Sequence, residues 1–142
     1  MRRSAITSSD GVAVGPYSHA IDTGSLVFLS GQTPLDPRTG VLVTGGVGDQ
    51  TRRCLENLVA VLSAAGLDTD DVVKCNVFLT DMADFAEMNA AYAAYFTEPY
   101  PARTTIAVAG LPLGARIEIE MVATRRGADL PPTTSAGPTS PD

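Results

Sequence analysis

Between Arg116 and Thr124, Ile117, Ile119, Met121 and Ala123 fall on one side of an extended chain, while Arg116, Glu118 and Glu120 fall on the other. A period of two is that of a strand with one face buried. Such a strand needs partners at its edges and a layer over its apolar side, so the chain must build a sheet packed against something else.

The covering layer is legible upstream. Leu55, Leu58, Val59 and Leu62 recur at i, i+3, i+4 and i+7, which predicts a helix beginning near Gly46–Asp49 and ending at Gly66. A second helix is expected after Asp81, which can cap it. Asp84 would be the favourable negative charge of its first turn, with Phe85, Met88, Tyr92, Tyr95 and Phe96 turned toward a core. Between the helices, Val73, Cys75, Val77 and Leu79 alternate with Val72, Lys74, Asn76 and Phe78, which predicts another strand. Residues 26–29 read as a buried strand, and residues 17–22 can pair with it across Thr23-Gly24. Residues 36–40 form a turn in which Pro37 presets φ and Gly40 closes the chain. Past Pro99 and Pro101, residues 103–108 read as a strand, followed by a turn at Gly110-Leu111-Pro112. The order is strands, helix, strand, helix, strands. It predicts a single α+β domain over residues 1–126, a mixed sheet with two helices on one face. Residues 127–142, mostly Pro, Thr, Ser, Gly, Ala and Asp, read as a disordered tail.

Composition removes several functions. The 142 residues carry a formal charge of −6, a poor match to a phosphate backbone that is bound through Lys and Arg. No apolar run approaches the ~20 residues a membrane span requires. Met1-Arg2-Arg3-Ser4-Ala5-Ile6 lacks the apolar core of a signal peptide, so the cytoplasm is the expected location. Cys54 and Cys75 belong to no CxxC, and His19 is the one histidine; neither a metal nor a cofactor is expected, and both thiols read as core residues. No nucleophile elbow surrounds Ser18, Ser30 or Ser63, so a Ser-His-Asp arrangement has nothing to support it. Gly45-Gly46-Val47-Gly48 ahead of the first helix hints at an anion loop, yet it lacks GxGxxG or a Walker lysine and reads as a plain flexible loop.

Three polar residues sit out of place. Asn89 falls within the second helix's apolar stripe, where a buried amide needs a partner. Glu118 and Glu120 share one face of the last strand, and Arg103 opens the strand before it. Each has an ordinary reading: a bridge to a loop, a solvated face, a surface cation. Together, Arg103 and Glu118 would lie close if their strands were antiparallel neighbours. A guanidinium could then hold a carboxylate substrate by two parallel hydrogen bonds while Glu118 activated water.

In family order and spacing, the sequence carries Gly15-Pro16-Tyr17-Ser18, Ser30-Gly31-Gln32-Thr33-Pro34 and Asp36-Pro37-Arg38-Thr39-Gly40. It continues through residues 50–66, residues 84–92, Tyr100-Pro101-Ala102-Arg103-Thr104-Thr105, Leu111-Pro112 and Ile117-Glu118-Ile119-Glu120. These motifs resemble the Rid family of reactive-intermediate deaminases, also known as the YjgF family. The resemblance implies a chorismate-mutase-like fold assembled as a homotrimer with its sites at subunit interfaces. It implies hydrolysis of short 2-imino and 2-enamino acids to 2-keto acids and ammonia without a cofactor. Arg103 would grip the substrate carboxylate and Glu118 would position water, with Tyr17, Ser30, Gly31, Asn89 and Thr105 completing the pocket. Thr105 stands where deaminating relatives often carry cysteine, and His19 where many carry glutamine. A ligand-binding or regulatory module, a pathway-dedicated imine-processing enzyme and an endoribonuclease or translation inhibitor are the alternatives. The acidic charge speaks against the last.

Overall fold

The computed structural model describes residues 2–8 and 15–125; the expected tail from Gly127 lies outside the described residues. The alternating segment forms β6 (Ile117–Thr124) and enters the middle of a six-stranded sheet. The other strands are β1 (Ser4–Ile6), β2 (Ala20–Asp22), β3 (Leu26–Gln32), β4 (Val72–Leu79) and β5 (Ala102–Ala107), in the order β1-β2-β3-β6-β4-β5. All neighbours are antiparallel except β4 and β5, so the sheet is mixed as expected. Two helices, α1 (Val47–Ala64) and α2 (Phe85–Ala93), supply the covering layer.

Leu55, Leu58, Val61 and Leu62 of α1 pack into one apolar cluster with Val77 and Leu79 of β4 and Ile117 and Ile119 of β6. Met88 and Tyr92 of α2 join that cluster, so both helices lie on the same face of the sheet. The α1 stripe is rotated slightly from the expected one: Cys54 and Val61 are buried, whereas Val59 is half-buried. In β4 the expected phase fails at its start. A bulge between Val72 and Lys74 turns Val73 outward, so Val72 is buried in its place and the alternation resumes at Cys75. The short β1 escaped sequence reading because three residues carry too little periodicity.

One expectation is overturned. The strands bearing Arg103 and Glu118 are not neighbours, because β4 lies between them. The reason is the crossover: α2 carries the chain from β4 back to the parallel strand β5 on the outer edge. Residues 108–116 then lead across β4 to its other side, where β6 pairs with β4 and β3.

Helix ends are closed by different means. At the C-terminal end of α1, Leu67 N–H donates to Leu62 O at 2.9 Å and Gly66 N–H to Ser63 O at 3.0 Å, a Schellman motif with Gly66 at φ +76°. Asp81, expected to cap the second helix, instead accepts from Ala83 N–H and caps the 3₁₀ turn Met82–Asp84 that leads into α2, whose own N-cap is Asp84 with no side-chain cap bond. The α1 N-terminus has no side-chain cap of its own at Gly46; Glu87 of α2 accepts from Gly48 N–H at 2.7 Å instead. The glycine loop is therefore filled by the protein's own carboxylate, which answers the hint of an anion site.

A Cβ added at Gly66 would meet nothing nearer than Arg125 Nη1 at 3.9 Å. Gly66→Ala should therefore lose about 1–2 kcal/mol through backbone conformation alone, read as a lower urea midpoint at unchanged m-value.

Candidate active site

Residues that face each other across a sheet point to the same side of it. Arg103 is level with Cys75, and Cys75 with Met121, both buried beneath the helices. Glu118 is level with Phe78, and Phe78 with Ile106, on the face without helices. Arg103 and Glu118 thus occupy opposite faces of the sheet. They are also offset by the step from Cys75 to Phe78, roughly 10 Å along the strand. Within one copy of the chain they do not meet.

Each is instead the centre of a separate group. On the helix face, Arg103 Nη1 donates to Asn89 Oδ1 at 2.7 Å. Its guanidinium carbon lies 4.8 Å from the Tyr92 ring centroid and 5.6 Å from that of Phe85. Asn89 is exposed, not buried as its place in the stripe suggested, and Arg103 is its partner. Thr105 follows on the same side of β5, level with Val77, and among the described residues its buried Oγ1 has no hydrogen-bond partner. Among the described residues no carboxylate forms an ion pair with Arg103, although four other arginines each have one.

On the other face, Glu118 approaches the backbone of Gly31 so closely that a Cβ there would lie 2.3 Å from Oε2. Gly31 is needed for that approach. Ser30 and Gly31 fall where the β3–β6 register shifts between Leu29 and Gln32, an irregularity that brings this loop against the glutamate. Ser30 Oγ donates to Ser18 O at 2.6 Å, tying the loop to the segment before β2. Tyr17, in that segment, is exposed, and its backbone N–H donates to Gly15 O at 2.9 Å.

The two glutamates are not equivalent. Asn76 Nδ2 donates to Glu120 at 3.0 Å, whereas among the described residues Glu118 has neither a hydrogen bond nor an ion pair. Burial, with the Glu120 charge adding to it, raises Glu118 above the ordinary carboxylate range. An unpaired carboxylate of raised basicity is suited to accept a proton.

Cys54 and Cys75 are fully buried, and burial pushes both thiols up, away from reactivity. His19 is also buried, its Nδ1 accepting from Ser8 N–H at 3.0 Å, so it belongs to the packing of the N-terminal segment. Among the described residues, no three His, Cys, Asp or Glu side chains converge as for a metal ion, and no helix is long and apolar enough to cross a membrane. Phe85 and Tyr92 pack with the core as expected, and only their contact with Arg103 was not foreseen. The available signal was their i, i+4, i+7 spacing with Asn89.

Comparison with known proteins places this chain among relatives. A family model described as Endoribonuclease L-PSP matches residues 7–125. Protein DfrA of Myxococcus xanthus is 51% identical over 126 residues, covering 87% of this chain and 96% of that protein. A Salmonella typhimurium protein named 2-iminobutanoate/2-iminopropanoate deaminase is 46% identical over 129 residues, covering 89% of this chain and all of its own length. The crystal structure of E. coli TdcF with bound serine superposes with a TM-score of 0.82 at 42% identity, covering 87% of this chain and 99% of that one.

The raised pKa has a consequence for stability. Folding disfavours the charged Glu118, so its contribution is greatest below the ordinary value of 4.5 and is lost as pH rises through the folded value. Glu118→Gln should therefore be more stable than the wild type at neutral pH. That advantage should vanish in denaturation series run below the ordinary glutamate pKa.

Proposed function

The chain belongs to the Rid family, the family also described as Endoribonuclease L-PSP, and from that premise we propose that it hydrolyses short 2-imino and 2-enamino acids to 2-keto acids and ammonia. The observation that carries this reading is Glu118, a half-buried carboxylate held unpaired against a glycine and raised in basicity. Arg103, without a competing carboxylate, takes the substrate's carboxylate through the N–H groups not given to Asn89. Water attacks C2 of the imine while Glu118 accepts its proton. The carbinolamine then collapses: Glu118 returns its proton to nitrogen, the C–N bond breaks to release ammonia, and the hydroxyl proton passes to the Glu118 carboxylate as C2 becomes the keto carbon. The iminium is itself the electrophile, so the step calls for no cofactor.

Because Arg103 and Glu118 lie on opposite faces, one substrate can touch both only where two copies of the chain meet. This supports a homotrimer whose sites each combine the Arg103 group of one subunit with the Glu118 group of the next. Phe28 and Ile106, both nearly half exposed on the helix-free face, are consistent with a surface covered by another copy. Gly31 backbone, Ser30, Tyr17, Thr105 and Asn89 line or support that pocket in this reading, and the cytoplasm is its setting. A ligand-binding role has one observation in its favour, the serine bound by the related TdcF. Turnover of freshly generated 2-iminopropanoate separates catalysis from binding. The family's ribonuclease name finds little support in a chain of net charge −6.

Two measurements test the proposal. Glu118→Gln should lower kcat for 2-iminopropanoate hydrolysis about 10²- to 10⁴-fold, while Glu120→Gln, whose wild-type carboxylate is already engaged by Asn76, should cost far less. Equal, mild losses would place the base elsewhere. Mixing Arg103→Ala and Glu118→Gln chains, after unfolding and refolding together, should restore roughly a quarter of wild-type activity, the share of interfaces that join two intact halves in a cyclic assembly. No recovery in mixed oligomers would show that both residues act within one subunit.

A further inference from the structure

Phe85, Asn89 and Tyr92 are spaced i, i+4 and i+7 along α2, so they form one stripe on the helix. All three touch the guanidinium of Arg103: two ring faces at 5.6 and 4.8 Å, and the Asn89 amide oxygen at 2.7 Å. In an ordinary amphipathic helix the middle member of such a stripe would be apolar. Here it is an exposed amide that accepts from a cation which β5, a separate element, delivers.

We propose that this stripe of α2 is a guanidinium cradle, in which Tyr92 and Asn89 are positioning residues that aim Arg103 at a substrate carboxylate. The inference rests on the deaminase reading above and adds to it the means by which the arginine is oriented. A free arginine side chain loses several rotatable bonds of freedom when it clamps a ligand, and a prepositioned one has already lost them. The aromatic faces hold the guanidinium plane without using its hydrogen-bonding capacity. Asn89 occupies Nη1 with a neutral acceptor, which orients the fork while keeping its positive charge available. A carboxylate at position 89 would orient it equally well but would neutralise it.

The cradle acts equally on every state that bears the carboxylate. Its loss should therefore appear in binding and leave the chemical step alone. Tyr92→Leu should raise both KM for 2-iminopropanoate and the inhibition constant of pyruvate by about 5- to 30-fold, with kcat changed by less than about twofold. Tyr92→Phe, which keeps the ring, should restore the lost affinity. Asn89→Asp should raise the same two constants about two- to fivefold, and more at low than at high ionic strength, because the new charge competes with the substrate for Arg103. Tyr92 is buried, so if its leucine variant fails to fold, the exposed position 89 still decides the matter. A fall in kcat at unchanged KM, or unchanged pyruvate affinity in folded Asn89→Asp, would overturn the cradle. Arg103→Ala measured alongside separates the two levels. If it too leaves pyruvate binding intact, the deaminase reading of the arginine falls; if it abolishes binding while Asn89→Asp does not disturb it, only the cradle falls.

Discussion

The position of β6 between β3 and β4 governs the remainder of the structure. As an inner strand it is hydrogen-bonded on both sides, and its alternate residues Ile117, Ile119, Met121 and Ala123 are all buried beneath the helices. Placing that apolar side inward leaves Glu118 and Glu120 on the open face with no freedom to choose otherwise, because a one-residue slip would exchange the two sets entirely. The same insertion separates β6 from β5. The strand that stabilises the core thereby also divides the Arg103 and Glu118 groups between the two faces.

On the open face, local chemistry differentiates the two carboxylates that the strand presents. Asn76 satisfies Glu120, while Glu118 has the Gly31 backbone beside it and, among the described residues, no counter-charge. Holding a carboxylate half-buried and unpaired works against stability, since burial favours its neutral form. Such a departure from the usual pairing of buried charge is characteristic of sites where reactivity sets the requirement.

The helix α2 has nine residues, too few to be stable alone, and depends on its tertiary contacts. Those contacts are distributed over several elements. Glu87 closes the N-terminus of α1, Asp84 pairs with Arg116 ahead of β6 at 2.8 Å, Met88 fills the core, and Asn89 and Tyr92 meet Arg103 on β5. One short helix thus connects the core to the arginine group, and its placement determines how that group is presented.

The elements themselves were legible in the residues, because period and turn chemistry are local properties. The alternation of β6, the apolar stripe of α1 and its end at Gly66, and the assignment to an α+β domain all follow from spacing within a few turns of chain. Arg103 and Glu118 were also visible as polar residues out of place. Which strands are neighbours was not legible, since the parallel return of β5 through α2 and the entry of β6 on the far side of β4 are settled by packing between distant segments. The bulge at Val73, the filling of the glycine loop by Glu87 and the conversion of Asn89 from an apparent core amide into a partner of Arg103 are of the same kind. The sequence by itself determined which side chains each element would carry. Only the tertiary structure decided the face on which each would stand, because side-chain direction in a sheet depends on register with strands far away in the chain.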